Sequence, residues 1–300
     1  MFVVIGATGH TGSTVAEKLL AKGEKVRVVG RDERKLEPFR QKGGEAFVAD
    51  ATDSSAMERA FAGADAAYVM IPPNMAAPDV LAYDDRVIAS LVPALQKSGV
   101  KQAVLLSSVG ADKPDKTGPV VGLHRLEEKL ESIPGLNLLS LRAGYFMENT
   151  LPQVGIIKNF GMMAGPVEAE LSLNMIATRD IAAFAAEALL QLNFSGRQTR
   201  ELLGQRDLNY LEAARIIGTA IGKPALAYIQ LPAEQIVPAM TQMGMSKNSA
   251  NLIVEMADAL NSGYMKALEP RSPANTTPTS FERFVQDVFL PAFKGQATTA

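Results

Sequence analysis

Residues 1–32 read MFVVIGATGHTGSTVAEKLLAKGEKVRVVGRD. An apolar run, Phe2 to Ile5, leads into three glycines at intervals of three, Gly6, Gly9 and Gly12. A helical pattern follows, with Val15, Ala16, Leu19 and Leu20 on one face, and Gly23 closes it. A second apolar run, Val26 to Val29, ends at Gly30 and Arg31. Strand, glycine turn, helix and strand in that order form the opening unit of a dinucleotide-binding fold. The glycines have mechanical reasons: a tight turn out of the strand, close approach of backbone to a pyrophosphate, and close packing of helix on strand. The start of the helix then turns free N–H groups and a positive dipole end toward the phosphates.

Outward from this unit the alternation continues. A helix over Glu33–Lys42 precedes a strand in GGEAFVAD that ends at Asp50. Ser54 reads as the cap of a helix over Ala56–Phe61. DAAYVMI, from Asp65 to Ile71, is a strand stopped by Pro72 and Pro73, and a long helix follows over about Ala82–Ser98. KQAVLLSS (Lys101–Ser108) and LNLLSLR (Leu136–Arg142) are strands on either side of a helix over about Val121–Ser132. Such continuously apolar strands fit a doubly wound parallel sheet of the Rossmann α/β class, covered by helices on both faces.

Beyond Tyr145 the rhythm breaks. Strand patterns cover Ala169–Ala177, Arg200–Gly204 and Leu226–Leu231. Helical patterns cover Thr178–Leu190 with Thr178 as cap, then Tyr210–Ile221, Ala233–Met243, Ser246–Asn261 and Phe281–Phe289. Glu269–Ser280 reads as a loop, and Gly295–Ala300 as a frayed tail. We expect an NAD(P)-binding Rossmann domain over 1–150, and over 151–300 a smaller α+β C-terminal substrate lobe interleaved with it. Met162, Met163, Met240, Met243 and Met245 suit either an adaptable pocket or core filling.

Composition narrows the function. A chain of 300 residues with 47% hydrophobic and 21% charged residues has the make-up of an ordinary globular protein. A net charge of −2 and the lack of a basic cluster argue against nucleic-acid binding. No apolar run reaches the roughly 20 residues that span a bilayer. The first strand begins at once, leaving no room for a signal peptide, so a cytoplasmic protein is expected. Cysteine is absent, which excludes thiolate nucleophiles and thiolate metal sites, and His10 and His124 are too few for a histidine metal cluster, so no metal is expected.

The end of the second strand selects the nucleotide. An acidic residue there binds a ribose 2′-hydroxyl, and an arginine accommodates a 2′-phosphate. Gly30-Arg31-Asp32 puts the arginine first, favouring NADP(H) over NAD(H), while Asp32 serves as cap of the next helix. Asp50 stands where a side chain reaches adenine or holds a turn. In such sheets ligands lie beyond the carboxyl ends of the strands. That brings Ile71, Pro72 and Pro73, then Ser107 and Ser108, around the cofactor. Ser108 is a candidate for orienting a substrate carbonyl; serine pairs at strand ends are also common turn residues.

The GxxGxxG spacing, VLLSSVGA and above all LRAGYFMEN (Leu141–Asn149) together resemble the NmrA-like family of atypical short-chain dehydrogenase/reductases, a likeness that extends to FERFVQDV near the end. This family includes triphenylmethane, azo-dye and quinone reductases. The resemblance implies NAD(P)(H) held through Gly6, Thr8, Gly9, His10, Thr11 and Gly12, with Arg31 on the 2′-phosphate side. It places the nicotinamide end against the stretch from Ala143 to Phe146, Gly144 included. It also implies an apolar or aromatic small-molecule substrate, and dimers are common among such relatives.

The departures bear on the reaction. Typical short-chain dehydrogenases transfer a proton through a tyrosine and a lysine four residues later, and this chain has no YxxxK. The corresponding helix reads GLHRLEEKLESIPG, with His124 as the candidate proton donor or cofactor contact. Tyr145 is a second candidate, for touching substrate or for packing. Two functions follow: an NAD(P)H-dependent oxidoreductase passing hydride to a quinone, azo dye, enone or carbonyl, or a non-catalytic NADP(H)-binding redox sensor acting through a protein partner.

Overall fold

The computed structural model describes residues 1–296. The first half is the expected alternation. It runs β1 (Phe2–Ile5), α1 (His10–Ala21), β2 (Val26–Gly30), α2 (Glu33–Gln41), β3 (Glu45–Val48), α3 (Ser54–Phe61), β4 (Ala66–Val69), α4 (Val80–Ser98), β5 (Gln102–Ser108), α5 (Val120–Glu131) and β6 (Asn137–Ala143). The second half contributes β7 (Tyr145–Phe146), α6 (Gln153–Phe160), β8 (Met163–Gly165), β9 (Leu173–Ile176), α7 (Thr178–Gln191), β10 (Arg197–Leu202), β11 (Asp207–Leu208) and α8 (Tyr210–Ala220). After these come β12 (Tyr228–Gln230), α9 (Ala233–Gln242), α10 (Lys247–Asn261), α11 (Phe281–Phe284) and, past a π-helical turn, α12 (Leu290–Phe293).

Seven strands form one sheet in the order β10-β6-β5-β4-β1-β2-β3, every pair parallel. Each strand feeds both faces, because successive side chains alternate across a pleat. Val3, Ile5, Ala67 and Val69 pack under α3, α4 and α5, whereas Phe2, Val4, Ala66 and Tyr68 pack under α1, α2 and α7. Both layers are close to dry, which is why the strand sequences read as continuous apolar runs. The seventh strand and the helix before it come from the second half of the chain: β10 pairs in register with β6, Arg197 to Leu138 through Leu202 to Ala143. The remaining elements surround a third core, built on Met147, Leu173, Met175, Tyr210, Phe281, Phe284 and Phe289.

Several local expectations are corrected. The α3 cap is Asp53, whose carboxylate accepts from the Ala56 N–H, and Ser54 is the first helical residue. β3 stops at Val48 because Asp50 turns the chain, accepting from the Thr52 N–H and hydroxyl at 2.9 and 2.8 Å. α4 starts at Val80 on an Asp79 cap. β9 starts only at Leu173. Thr178 is not a side-chain cap for α7; its N–H and hydroxyl donate to Glu148. Part of the expected tail, residues 297–300, lies outside the described residues. No described helix is long and apolar enough to cross a membrane.

Candidate functional site

The sheet order reverses direction between β1 and β4, and the glycine turn lies at that switch point. Gly6 takes the left-handed φ of +69°, open to glycine at no cost. The Gly9 N–H closes the turn on the Gly6 carbonyl at 2.9 Å. A Cβ on Gly12 would overlap that same carbonyl oxygen, so helix and turn approach this closely only with glycine there. Gly9 has ordinary room, 3.4 Å from its nearest neighbour, and is exposed with Thr8 and His10. Thr11 and Gly12 are buried behind them. No side chain caps α1, and its first turn holds no acid. Its leading N–H groups and dipole are therefore free for an anion, and the open backbone above Gly9 fits a pyrophosphate.

At the end of β2, Asp32 caps α2 by accepting from the Arg34 N–H at 3.0 Å. Arg31 is exposed and, among the described residues, makes no ion pair. Burial works to raise the Asp50 carboxyl, but the Thr52 hydrogen bonds and the Arg31 charge outweigh it and hold Asp50 below the usual carboxylate range. The Tyr83 hydroxyl is pushed up by burial and then by the Asp50 charge, with Arg31 acting against them. Arg31, Asp50 and Tyr83 thus share one corner beyond β2 and β3, and Asp50 spends one oxygen on its own turn.

A cavity of about 1300 Å³ opens beyond β4, β5 and β6, between the sheet and the lobe. Of the residues expected at the nicotinamide end, Ile71, Ser107, Ser108, Gly144, Tyr145 and Phe146 line it; Pro72 does not, and its neighbour Pro73 does. Met162, Met240, Met243 and Met245 line it too, while Met163 is buried in the lobe core. Phe160 and Met243, 71% and 56% exposed, belong to the same lining, so the cavity reaches solvent with apolar side chains at its edge.

The polar groups there differ in freedom. Ser107 is buried and donates to Glu127, whose carboxylate also holds Arg142 by two bonds of 3.1 and 2.6 Å. Register explains this contact, since Ser107 stands beside Arg142 across β5 and β6. Ser108 donates to the Val109 carbonyl at 2.8 Å. Tyr145 shares a hydrogen bond of 2.9 Å with Tyr210, whose ring stacks on Tyr228 at 4.3 Å. Burial raises all three phenols, so they stay protonated near neutrality. Tyr145 therefore belongs to a packed aromatic wall that faces the cavity.

His124 is not part of the cavity lining. Its Nδ1 donates to the Ala111 carbonyl at 2.8 Å, and its Nε2 lies 3.6 Å from Glu128 one turn on. The histidine of α5 holds the loop after β5 instead of lining the cavity.

Two carboxylates of the cavity escaped the sequence reading. Glu148 is raised by burial and drawn back by its bonds from Thr178, so it links LRAGYFMEN to the start of α7. Asp84 is buried on α4 and lines the cavity. Its signal was present: Val80, Tyr83, Asp84, Val87, Ile88 and Leu91 form one buried stripe, and a carboxylate in such a stripe is anomalous.

A seven-stranded parallel sheet carrying a glycine-built helix start at its switch point, with a deep apolar cavity beside it, defines a Rossmann-type α/β protein. The chain belongs to the NmrA-like family, whose sequence model matches residues 1–284. It is 29% identical over 269 residues to an NAD(P)H azoreductase of Xenophilus azovorans, covering 89% of this chain and 87% of that one. Among solved structures it resembles the triphenylmethane reductase of Citrobacter sp., with a TM-score of 0.79 at 18% identity over 98% of this chain and 99% of that one. It also resembles an NADPH-dependent quinone oxidoreductase from Escherichia coli solved with NADPH, with a TM-score of 0.75 at 20% identity, covering 100% and 96%. At these identities the structural likenesses establish the fold.

Proposed function

We propose that this protein is an NAD(P)H-dependent reductase that transfers hydride to an apolar, aromatic acceptor such as a quinone or azo dye. The observation that carries this reading is the cavity: 1300 Å³, methionine-rich, and open beyond the strands where the nicotinamide end of the fold lies. The backbone of Gly6, Gly9 and Gly12 and the free N–H groups of α1 would hold the pyrophosphate. Gly144 and Phe146 would face the nicotinamide ring. Bound there, the dinucleotide supplies the hydride, and the protein supplies orientation and a water-poor surround. Arg31, exposed and without an ion pair among the described residues, favours the 2′-phosphate of NADP(H).

The test is oxidation of NADPH and NADH by the purified protein against a panel of quinones, azo dyes and carbonyl compounds. Turnover with at least one aromatic acceptor is expected, as is a preference for NADPH that Arg31→Ala lowers about tenfold, the scale of one charge-assisted hydrogen bond. No oxidation with any acceptor sinks the reading. The placement of His124 outside the cavity lining, with no tyrosine–lysine pair in the chain, favours the second reading, a dinucleotide sensor. That reading expects a protein partner gained or lost with the NADP⁺/NADPH ratio, in the absence of turnover.

A further inference from the structure

Resting on the reductase reading, we propose that Asp84 is the proton donor to acceptors that need one. Asp84 lines the same cavity as Ser107, Ser108 and Tyr145, from the second turn of α4. It is 5% exposed, and neither a side chain nor a backbone N–H of the described residues bonds to it. The neighbouring carboxylates and histidine are engaged: Glu127 by Ser107 and Arg142, Glu148 by Thr178, His124 by Ala111, and the one lysine of the lining, Lys266, is exposed to solvent. The carboxyl of Asp84 occupies a notch in α5, where a Cβ on Gly122 would overlap its Oδ2. Glycine inside a helix is conformationally unfavourable, and here its missing side chain is the space that Asp84 fills.

The surroundings keep the proton on. Burial raises the carboxyl first, and the neighbouring Asp85 and Asp79 charges raise it further. Arg125 of α5 opposes them, but it is tied to Asp85 at 2.9 and 3.0 Å. The balance lifts Asp84 to about 7, and the adjoining Tyr83 stays neutral, so the acid is protonated for a large fraction of the time at neutral pH. That is the range in which a general acid works best.

In the step, Asp84 gives its carboxyl proton to the oxygen or nitrogen of the acceptor as hydride arrives at that acceptor from the dihydronicotinamide. The carboxyl O–H bond breaks, an O–H or N–H bond forms on the reduced acceptor, and the dihydronicotinamide is oxidised. The carboxylate regains its proton from water. The cationic carbon of a triarylmethane dye takes hydride alone, with no proton, and so needs no acid.

The experiment compares Asp84→Asn with the wild type on a quinone and on a cationic triarylmethane dye, each with NADPH. A general acid contributes about a hundredfold or more, so quinone turnover is expected to fall about 100-fold while dye turnover falls less than about threefold. Equal losses on both acceptors overturn the proposal, because asparagine then harms binding or fold instead of proton transfer. No wild-type turnover with either acceptor overturns the reductase reading itself. An infrared titration of the protein without cofactor supplies a readout independent of activity. The wild type is expected to show a protonated-carboxyl band that disappears through neutral pH and is missing in Asp84→Asn. Asp85→Asn is expected to move that titration down and Arg125→Gln to move it up. A wild type without the band overturns the proposal.

Discussion

At the glycine turn the molecule presents backbone; in the cavity it presents side chains. The turn places its groups within seven consecutive residues, Gly6 to Gly12, exposes Thr8, Gly9 and His10, and leaves the start of α1 without a side-chain cap. The cavity gathers Asp84, Ser107 and Tyr145 from separate elements, and ties Ser107 to Glu127 and Tyr145 to Tyr210 while leaving the Asp84 carboxyl without a hydrogen bond. Fixed dipoles of a turn suit a ligand part that is always anionic. A largely apolar cavity with a buried carboxyl free of hydrogen bonds suits a ligand part whose charge changes during reaction.

If that contrast is right, damage in the two regions has different signatures. The largest effect is expected from Glu127→Ala, which strands Arg142 beside the cavity with no carboxylate. Breaking a buried pair costs about 3–5 kcal/mol, read in urea unfolding, while Glu127→Gln loses less by keeping an acceptor for Ser107. A loss under 1 kcal/mol would show that the pair does not brace the cavity floor.

Asp84→Asn comes next and depends on pH. In the folded protein the carboxyl releases its proton near 7, and in the unfolded chain near the ordinary 3.8. Between those values folding takes up a proton, so the wild type loses stability as pH rises through the window. The variant lacks this loss and is expected to gain on the wild type by up to about 4 kcal/mol between pH 4 and pH 8. Melting curves across that range check it, and a constant difference would mean that Asp84 titrates normally.

Gly12→Ala follows, because its Cβ meets the Gly6 carbonyl. Overpacking of this kind costs about 1–3 kcal/mol, and it should weaken dinucleotide binding by about tenfold or more. Gly9→Ala, with ordinary room, should keep the melting temperature and lose affinity only. If both variants melt alike, the tightness assigned to Gly12 is wrong. His124→Ala should be smallest, about 1 kcal/mol for the lost bond to Ala111, with turnover changed by less than about threefold. A hundredfold loss of turnover would restore His124 to the reaction and remove the contrast between the two regions.

The parts of the molecule differ in how far they were legible in advance. The alternation through Arg142 could be read because both sheet faces are covered, which makes the strands continuously apolar and the helices amphipathic. The caps were misread at Ser54 and Thr178, where Asp53 and Glu148 offered carboxylates that accept better than a hydroxyl. β10 was found as a strand, but nothing local announced that it joins β6 at the edge of the main sheet. In the cavity lining, Ile71, Ser107 and Ser108 were expected from the rule that ligands lie at strand ends, and Tyr145 from the family segment. His124 was read from its position on the chain, and its ring faces the Ala111 loop instead. Of the two prolines expected after β4, Pro73 lines the cavity and Pro72 does not.

By itself, the sequence determined what depends on neighbours along the chain: the glycine turn, the helix start behind it, the layering of the sheet and the family segment LRAGYFMEN. These follow from spacing, period and backbone freedom, which act over a few residues. Only the tertiary structure decided which buried carboxyl is left without a hydrogen bond beside the cavity. Protonation near neutrality depends on burial and on charges brought together by packing α4 against α5, and no stretch of sequence contains those distances. The glycine at 122 and the aspartate at 84 are 38 positions apart, and they acquire a joint meaning only where the two helices touch.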